Sequence, residues 1–400
     1  MALESTPPPD HLSTKQAARV LGVKPETVYA YVSRGLLPRT RVPGRRGSWF
    51  PAELVEALRS QGPRNKLSGM AERIRTKITL LQDDRLYYRG VDAVALARSS
   101  TFEDVCALLW QTTAAALPPA IELSADDTAL AATLPRRMDK IRTAISVLAG
   151  RESVRGDLTV EVVTEQAGRS MSAAIEVLPV VGANTGGRAA AERLWPRLTA
   201  MPATPALLGV LDAALILLAD HELAVSTTAA RVAASTRADL FGVLMAALGA
   251  MDSPIHGAAA SFARRKLVQA LDDPAATISR HLASNRRPAG FGHLIYTERD
   301  PRADHLLERI FGLDQADRAV LSVADQLITE WERRRGWFPN TDFALAVLGE
   351  ALRMVPDAGD TVFTLSRLAG WTAHALEEYD EEPMRFRLQG IYVGVRPAER

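Results

Sequence analysis

The chain has 400 residues, of which 47% are hydrophobic and 24% are charged, with a formal net charge of +1 and one cysteine. This length predicts two or three domains of ordinary globular composition, and the lack of any apolar run of roughly 18 residues excludes a membrane-spanning helix. The lone Cys106 excludes an internal disulfide and has no metal-ligand spacing around it, so we expect a cytoplasmic protein that has no secretory signal and binds no metal.

The positive charge is concentrated near the N-terminus. Residues 10–66 contain eleven Lys or Arg and four Asp or Glu, whereas the rest of the chain contains 37 basic and 43 acidic residues. A basic segment joined to an acidic body indicates a polyanionic partner for that segment alone.

The first predicted elements are two short helices joined by a tight turn. Ser13 or Thr14 can cap the first helix, Gly22 ends it, and Pro25 lies where a second helix would begin. A Gly- and Pro-containing excursion rich in arginine follows and ends near Trp49. This order predicts a helix-turn-helix with a basic wing.

The stretch 10–60 resembles the winged helix-turn-helix of MerR-like and excisionase-like DNA-binding domains. The resemblance implies that the second helix enters the major groove of DNA and that the wing arginines contact phosphates. The implied DNA-binding residues are Lys24, Thr27, Tyr29, Arg39, Arg41, Arg45 and Arg46. The alternative is a helical adaptor for other proteins whose arginines are only solvated, because such modules can keep their fold without binding DNA.

Residues 61–75 are predicted to form a polar linker, and the body begins at residue 76. A short β-prone unit covers residues 82–90. From residue 91 onward, Ala, Leu and Val recur at helical spacing, so the body is predicted to be all-α. Helices are predicted over residues 102–113, 135–149, 205–219, 232–248 and 320–333.

Several residues able to take part in catalysis lie at the ends of predicted helices. His221 follows a strongly apolar helix, His256 precedes a helix, and Asp342 begins one. His293 follows two glycines, and Arg302 lies nine residues later behind a proline. Arginine can grip a carboxylate and histidine can donate to a polarised oxygen, so the pair favours an anionic carbonyl substrate. For any one residue, the alternative is a satisfied core histidine or a helix-capping aspartate.

Together, the motifs over residues 76–394 resemble the citrate synthase family, which includes 2-methylcitrate synthase. The matching motifs appear in the family's order and cover about four-fifths of the chain. They are Tyr-Arg-Gly at 88–90, Ala-Asp-His-Glu-Leu at 219–223, Ser-Thr at 226–227, Pro-Ile-His-Gly at 254–257, Gly-Phe-Gly-His at 290–293, Asp-Pro-Arg-Ala at 300–303, Pro-Asn-Thr-Asp-Phe at 339–343, Arg-Leu-Ala-Gly-Trp-Thr-Ala-His at 367–374 and Ile-Tyr-Val-Gly at 391–394.

The resemblance implies condensation of oxaloacetate with acetyl-CoA, followed by hydrolysis of the thioester. By resemblance, Asp342 is the base that removes a methyl proton, and His256 donates a hydrogen bond to the thioester oxygen. His256 lies at an apparent helix N-terminus, whose dipole disfavours imidazolium, so we expect it to be neutral. His293 would polarise the ketone and protonate the new alkoxide. The carboxylates would be bound by His221, Arg302, Arg367 and Arg387.

The resemblance also implies a homodimer in which Arg387 reaches into the site of the other subunit. It implies a large helical domain over residues 76–259 and 356–400, and a small domain over residues 260–355 that closes over it. No metal or redox cofactor is implied, because the acyl-CoA is itself a substrate.

Four positions depart from the usual family pattern, and none of them removes a catalytic group. They are Ala224 in place of Asn, Ala258 in place of Gly, Leu294 where many members have Arg, and Gln389 in place of Arg. Acetyl-CoA and propionyl-CoA both stay open as substrates, since they differ by one methylene. The alternative of a different class is a DNA-binding regulator whose body senses acyl-CoA or oxaloacetate.

Overall fold

The computed structural model describes most of the chain and divides it into two compact units, residues 1–75 and 76–400. The described residues are 11–33, 35–40, 47–52, 54–55, 58, 74–113, 123–153, 155–183, 186–253, 259–284 and 286–386. Seven residues named singly above lie outside these ranges, namely Arg41, Arg45, Arg46, His256, Ala258, Arg387 and Gln389. The motifs at 254–257 and 391–394 and most of the predicted linker, residues 61–73, also lie outside them.

The N-terminal unit contains helix α1 (Thr14–Leu21), helix α2 (Pro25–Ser33) and an antiparallel pair of strands, β1 (His11–Ser13) and β2 (Trp49–Pro51). Ser13 caps α1, and Gly22 ends it with a positive φ of 66°. Thr40 and Trp49 form an antiparallel bridge, so the described ends of the predicted wing are paired. Helix-turn-helix order is confirmed, and its apolar centre is formed by Ala17, Ala18, Val28, Leu37, Phe50 and Val55.

The second unit is built from helices, as predicted. Their bounds are α3 (Ala93–Ser99), α4 (Phe102–Trp110), α5 (Ala125–Ala132), α6 (Arg137–Arg151), α7 (Val160–Glu176), α8 (Ala190–Leu198), α9 (Pro205–Leu217), α10 (Val225–Ser235), α11 (Leu240–Met251), α12 (Ala259–Asp272), α13 (Pro274–Ser284), α14 (Pro301–Phe311), α15 (Arg318–Arg335), α16 (Thr341–Ala351) and α17 (Ala358–Tyr379). Among the described residues, no helix combines the length and apolar character needed to cross a membrane.

The prediction of one continuous helix over residues 232–248 is wrong, because two helices, α10 and α11, meet within this range. Arg237 has a positive φ of 62°, and its guanidinium donates to the carbonyl oxygens of Glu378 and Glu381 at 3.1 and 2.7 Å. Asp239 then accepts the Gly242 N–H at 2.8 Å and starts a new helix. Contacts with a distant part of the chain therefore hold a residue at a backbone angle that no helix allows.

A three-stranded antiparallel sheet precedes the helices and contacts the end of α9. It consists of β3 (Thr79–Gln82), β4 (Arg85–Tyr88) and β5 (Val91–Asp92). The hydroxyl of the buried Tyr88 lies 3.1 Å from the carbonyl oxygens of Ile216 and Asp220, and so contributes to satisfying the carbonyls that a helix end leaves unpaired. This small sheet fixes the chain direction just before His221.

Helix α17 runs through the core of the second unit, and most of its residues are buried. The Gly370 N–H donates to the carbonyl oxygen of Ala219 at 3.1 Å, and a side chain at residue 370 would collide with that oxygen and with the side chain of Asp220. The backbone of α17 therefore lies directly against the turn that carries His221. Arg367, one helical turn earlier, is buried.

Candidate active site

Backbone hydrogen bonds join the glycine-rich loop of His293 to the start of α16. The Gly292 N–H donates to the Phe338 carbonyl at 2.6 Å, and the Asn340 N–H donates to the Gly290 carbonyl at 2.9 Å. The side-chain amide of Asn340 also donates to the Gly292 carbonyl at 2.9 Å. Asn340 caps α16, whose first turn contains Asp342. His293 and Asp342 are thus carried by two segments that are bonded side by side.

Gly290 is required in this loop for two reasons. Its φ is 84°, in the left-handed region that L side chains rarely adopt. A Cβ at this position would also lie 2.8 Å from the Cβ of Phe343. The glycine therefore permits the close contact between the loop and α16.

Two histidines and a tyrosine meet beside this loop. The ring centroids of His221 and His293 are 5.1 Å apart, and the ring of Tyr296 lies 4.8 Å from that of His293. The Nδ1 atom of His293 accepts the backbone N–H of Ile295 at 3.0 Å. Because a neutral imidazole has one donor and one acceptor, the proton of His293 is on Nε2, which can donate to a carbonyl oxygen.

Both histidines are held in the neutral form. Burial lowers the pKa of His293 to about 4, and the charge of Arg302 contributes to the same shift. Burial likewise places the pKa of His221 well below its ordinary value, with further contributions from Arg302 and Arg367. At neutral pH the two rings are therefore uncharged hydrogen-bonding groups.

Arg302 lies in the first turn of α14 and is paired within the protein. Its guanidinium donates to both carboxylate oxygens of Asp300 at 3.0 and 2.9 Å, and both side chains are buried. Burial works against the charged guanidinium, but the Asp300 carboxylate more than offsets it and raises the pKa of Arg302. The Tyr296 ring lies 5.1 Å from the guanidinium carbon. Arg302 is thus a fixed positive charge next to the two histidines.

Arg367 is also buried, but its Nε and Nη1 have no hydrogen-bond partner among the described residues. Burial lowers its pKa, and the negative charge of Asp220 opposes that shift. Asp220 does not bond to Arg367 but accepts from Thr79 Oγ1 at 2.5 Å and from His374 Nε2 at 3.2 Å. A buried donor without a partner is costly, so this guanidinium is suited to bind an anion.

Asp342 has the acid–base properties of a general base near neutral pH. Its side chain is partly exposed, and burial raises the pKa of its carboxyl group to about 6, an effect that the charge of Arg302 opposes. A base is most effective when its pKa lies near the working pH. The described part of the second unit therefore brings together five of the seven predicted site residues, and His256 and Arg387 lie outside it.

Two residues that shape this site, Tyr296 and Asp84, are not among the residues predicted from the sequence. Tyr296 contacts His221, His293 and Arg302, and its position between the last two in the chain was the available signal. Asp84, in the turn between β3 and β4, accepts the backbone N–H groups of Thr297 and Glu298 at 3.0 and 2.7 Å. Its Asp-Asp turn gave no hint of a contact more than 200 residues away in the chain.

In the N-terminal unit, the predicted DNA-binding residues that are described lie mostly in α2 or next to it. Lys24, Tyr29 and Arg39 are exposed, and Thr27 is partly exposed. The Tyr29 hydroxyl lies 3.2 Å from Thr14 Oγ1. These side chains form a polar surface on the second helix and the base of the wing.

Comparisons with known proteins match both units. Residues 68–389 match the family model of the citrate synthase C-terminal domain, and residues 12–61 match a helix-turn-helix domain model. The chain is 30% identical to citrate synthase 2 of Bacillus subtilis over 80% of this chain and 93% of that one. It is 28% identical to 2-methylcitrate synthase 2 of Corynebacterium glutamicum over 76% of this chain and 87% of that one.

A solved structure has the same fold. It is the citrate synthase of Thermoplasma acidophilum in a ternary complex with carboxymethyl-coenzyme A and oxaloacetate. The TM-score is 0.67 at 24% identity, and the match covers 82% of this chain and 95% of that one.

Proposed function

The chain belongs to the citrate synthase family, and we propose that it condenses oxaloacetate with acetyl-CoA or propionyl-CoA and then hydrolyses the thioester. The products are citrate or 2-methylcitrate and free CoA. Enzymes of this family are acyltransferases that use an acyl-CoA as substrate and need no further cofactor. We also propose that the chain acts in the cytoplasm.

The observation that carries the proposal is the unpartnered guanidinium of the buried Arg367. Its Nε and Nη1 lie on different edges of the guanidinium, and each can donate a hydrogen bond to an anionic oxygen of the substrate. Arg302 supplies a second positive charge, and two neutral histidines lie next to it. A dianion with a ketone, such as oxaloacetate, fits this combination of cations and neutral donors. The oxaloacetate and carboxymethyl-coenzyme A bound to the Thermoplasma acidophilum enzyme support both substrate classes.

In the proposed reaction, the carboxylate of Asp342 removes a proton from the carbon next to the thioester carbonyl. His256 stabilises the enolate oxygen by donating a hydrogen bond. The enolate carbon then attacks the ketone carbon of oxaloacetate, and the electrons of the ketone double bond move onto its oxygen. That oxygen receives the Nε2 proton of His293, and the proton that Asp342 took up replaces it, so that both side chains return to their starting forms. Water finally adds to the thioester carbonyl, and CoA leaves as the thiol.

Two larger features complete the proposal. The small domain, residues 260–355, closes over the large domain, residues 76–259 and 356–400, and thereby excludes water from the enolate. Two chains form a dimer in which Arg387 of each reaches into the site of the other. The position of Arg302 supports domain closure. Arg302 lies in α14 of the small domain, so its attraction to the anionic substrate would draw the small domain toward the large one.

The proposal is tested by measuring thiol release with oxaloacetate and either acetyl-CoA or propionyl-CoA. We expect release that requires oxaloacetate, and the ratio of the two kcat/KM values decides the acyl preference. Asp342→Asn should abolish most of it. Asp325→Asn, at an exposed position on α15, is the matched control and should leave it unchanged. No release with either acyl-CoA would overturn the proposal.

The exposed polar surface of α2 favours a second function, DNA binding by the N-terminal unit. Lys24 and Arg39 would contact phosphates. In a dimer, the N-terminal units of the two chains would each bind one half-site of the DNA. Fluorescence anisotropy with duplex DNA should show an affinity that falls as the salt concentration rises. In the double variant Lys24→Ala/Arg39→Ala, the slope of the logarithm of the binding constant against the logarithm of the salt concentration should be smaller in magnitude by about two. Salt-independent or undetectable binding would favour the protein adaptor instead.

A further inference from the structure

Tyr296 contacts both histidines and the paired arginine of the site. Its backbone N–H lies 3.4 Å from His293 Nδ1, its hydroxyl lies 3.0 Å from His221 Nε2, and its ring lies 5.1 Å from the guanidinium carbon of Arg302. The side chain is only 2% exposed, so its hydroxyl cannot exchange its partner for bulk water. This arrangement gives one residue control over three groups of the substrate site.

We propose that Tyr296 is a positioning residue that donates its hydroxyl proton to Nε2 of His221 and fixes His221 as the Nδ1–H tautomer. The inference rests on the proposed function, because it assigns how His221 presents a donor to oxaloacetate. It adds a residue that the sequence motifs did not identify as part of the site.

The direction of the hydrogen bond follows from what each group can do. A neutral imidazole offers one donor and one acceptor, whereas a phenol can donate one proton and also accept. Among the described residues, His221 Nε2 is the only hydrogen-bond partner of the Tyr296 hydroxyl. If His221 donated instead, the buried O–H would have no acceptor, which native interiors avoid. Tyr296 is therefore the donor.

The charges around His221 favour a neutral ring, which this arrangement provides. Arg302 and Arg367 both act on the ring, and a third positive charge beside them would be disfavoured. With Nε2 occupied as an acceptor, His221 can remain neutral and still offer Nδ1–H to a carboxylate or carbonyl oxygen. His293 has the opposite tautomer, since its Nδ1 accepts from the backbone of Ile295. The two rings thus present donors from different atoms.

The variant Tyr296→Phe tests this assignment, because it removes the hydroxyl and keeps the ring against Arg302. We expect the KM for oxaloacetate to rise about tenfold, with the KM for acyl-CoA unchanged and kcat changed less than about threefold. Tyr87→Phe is the matched control, since Tyr87 is a partly buried tyrosine on β4 whose hydroxyl forms no hydrogen bond within the described residues. It should leave all three parameters unchanged.

A second readout does not depend on turnover. Long-range proton–nitrogen NMR on histidine-labelled protein, with signals assigned through His221→Asn, reports the tautomer directly. We expect Nδ1–H for His221 in the unchanged protein and a mixture of tautomers in Tyr296→Phe. An Nε2–H tautomer in the unchanged protein, or no change of tautomer and KM in the variant, would overturn the inference. The expected tautomers in a protein without thiol release would instead overturn only the proposed function.

Discussion

Arg302 and Arg367 are both buried arginines of the candidate site, but only the guanidinium of Arg302 is paired with a carboxylate. Arg302 is 2% exposed and forms a two-pronged pair with Asp300. Arg367 is 3% exposed, and its countercharge, Asp220, is bonded to Thr79 and His374 instead. The first arrangement stabilises the fold around a fixed charge. The second keeps a charge in place while leaving its donors available to a ligand.

This contrast predicts that Arg302→Met has the largest effect, because it damages both folding and activity. Removing the guanidinium leaves the fully buried Asp300 carboxylate without its partner, which costs about 3–5 kcal/mol of unfolding free energy. We also expect kcat/KM for oxaloacetate to fall at least about a hundredfold. Urea unfolding and steady-state kinetics measure the two losses.

The double variant Arg302→Met/Asp300→Asn separates the two effects. Neutralising Asp300 removes the unpaired charge, so most of the lost stability should return while the activity stays low. Recovery of activity together with stability would mean that Arg302 is only structural.

Arg367→Met should reduce activity about as much but leave stability nearly intact. The substitution removes two donor atoms that have no partner among the described residues. Asp220 keeps its hydrogen bonds to Thr79 and His374. We expect kcat/KM for oxaloacetate to fall about a hundredfold or more, with an unfolding free energy within about 1 kcal/mol of the unchanged protein. A stability loss as large as that of Arg302→Met would contradict the comparison.

Asp342 sharpens the comparison, because its charge is disfavoured by the fold and required by the proposed chemistry. Its folded pKa of about 6 lies above the ordinary value of 3.8, so the native state holds the proton more tightly than the unfolded state. The stability from that proton is present below pH 3.8 and is lost as pH rises through 6. Activity follows the opposite course and should fall as pH drops below about 6.

The variant Asp342→Asn should therefore be more stable than the unchanged protein at pH 8, by on the order of 2 kcal/mol, and equally stable near pH 4. Denaturant unfolding at the two pH values measures this difference. If the difference in unfolding free energy between Asp342→Asn and the unchanged protein were the same at both pH values, the carboxyl group would titrate normally in the folded protein.

Features that depend on neighbouring residues can be predicted from this sequence. Features that depend on residues far away in the chain cannot. Gly22 and Pro25 mark the turn between α1 and α2, and the glycines before His293 mark a loop that only they allow. The break between α10 and α11 was missed, because Arg237 is held there by carbonyl groups of residues 378 and 381. The pairing of Arg302 with Asp300 is local, whereas the countercharge of Arg367 comes from a different helix end.

Asp84 is the clearest case of such a distant partner, and it gives the smallest predicted effect. Its carboxylate accepts the N–H groups of Thr297 and Glu298, just after Tyr296, and these bonds favour the charged form and lower its pKa although burial opposes them. Asp84→Ala should loosen the His293 loop and raise the KM for oxaloacetate about threefold, since each lost bond to an exposed backbone group is worth little.

The neighbouring Asp83→Ala is the matched control for this change. Asp83 also has a positive φ, 52° against 53° for Asp84, so both variants place alanine in the same strained conformation. Asp83 is exposed and accepts only from its neighbour Gln82 among the described residues. Only Asp84→Ala should therefore change the KM. Equal effects of the two variants would assign the loss to the turn itself, and the small sheet would then have no direct influence on the loop that carries His293.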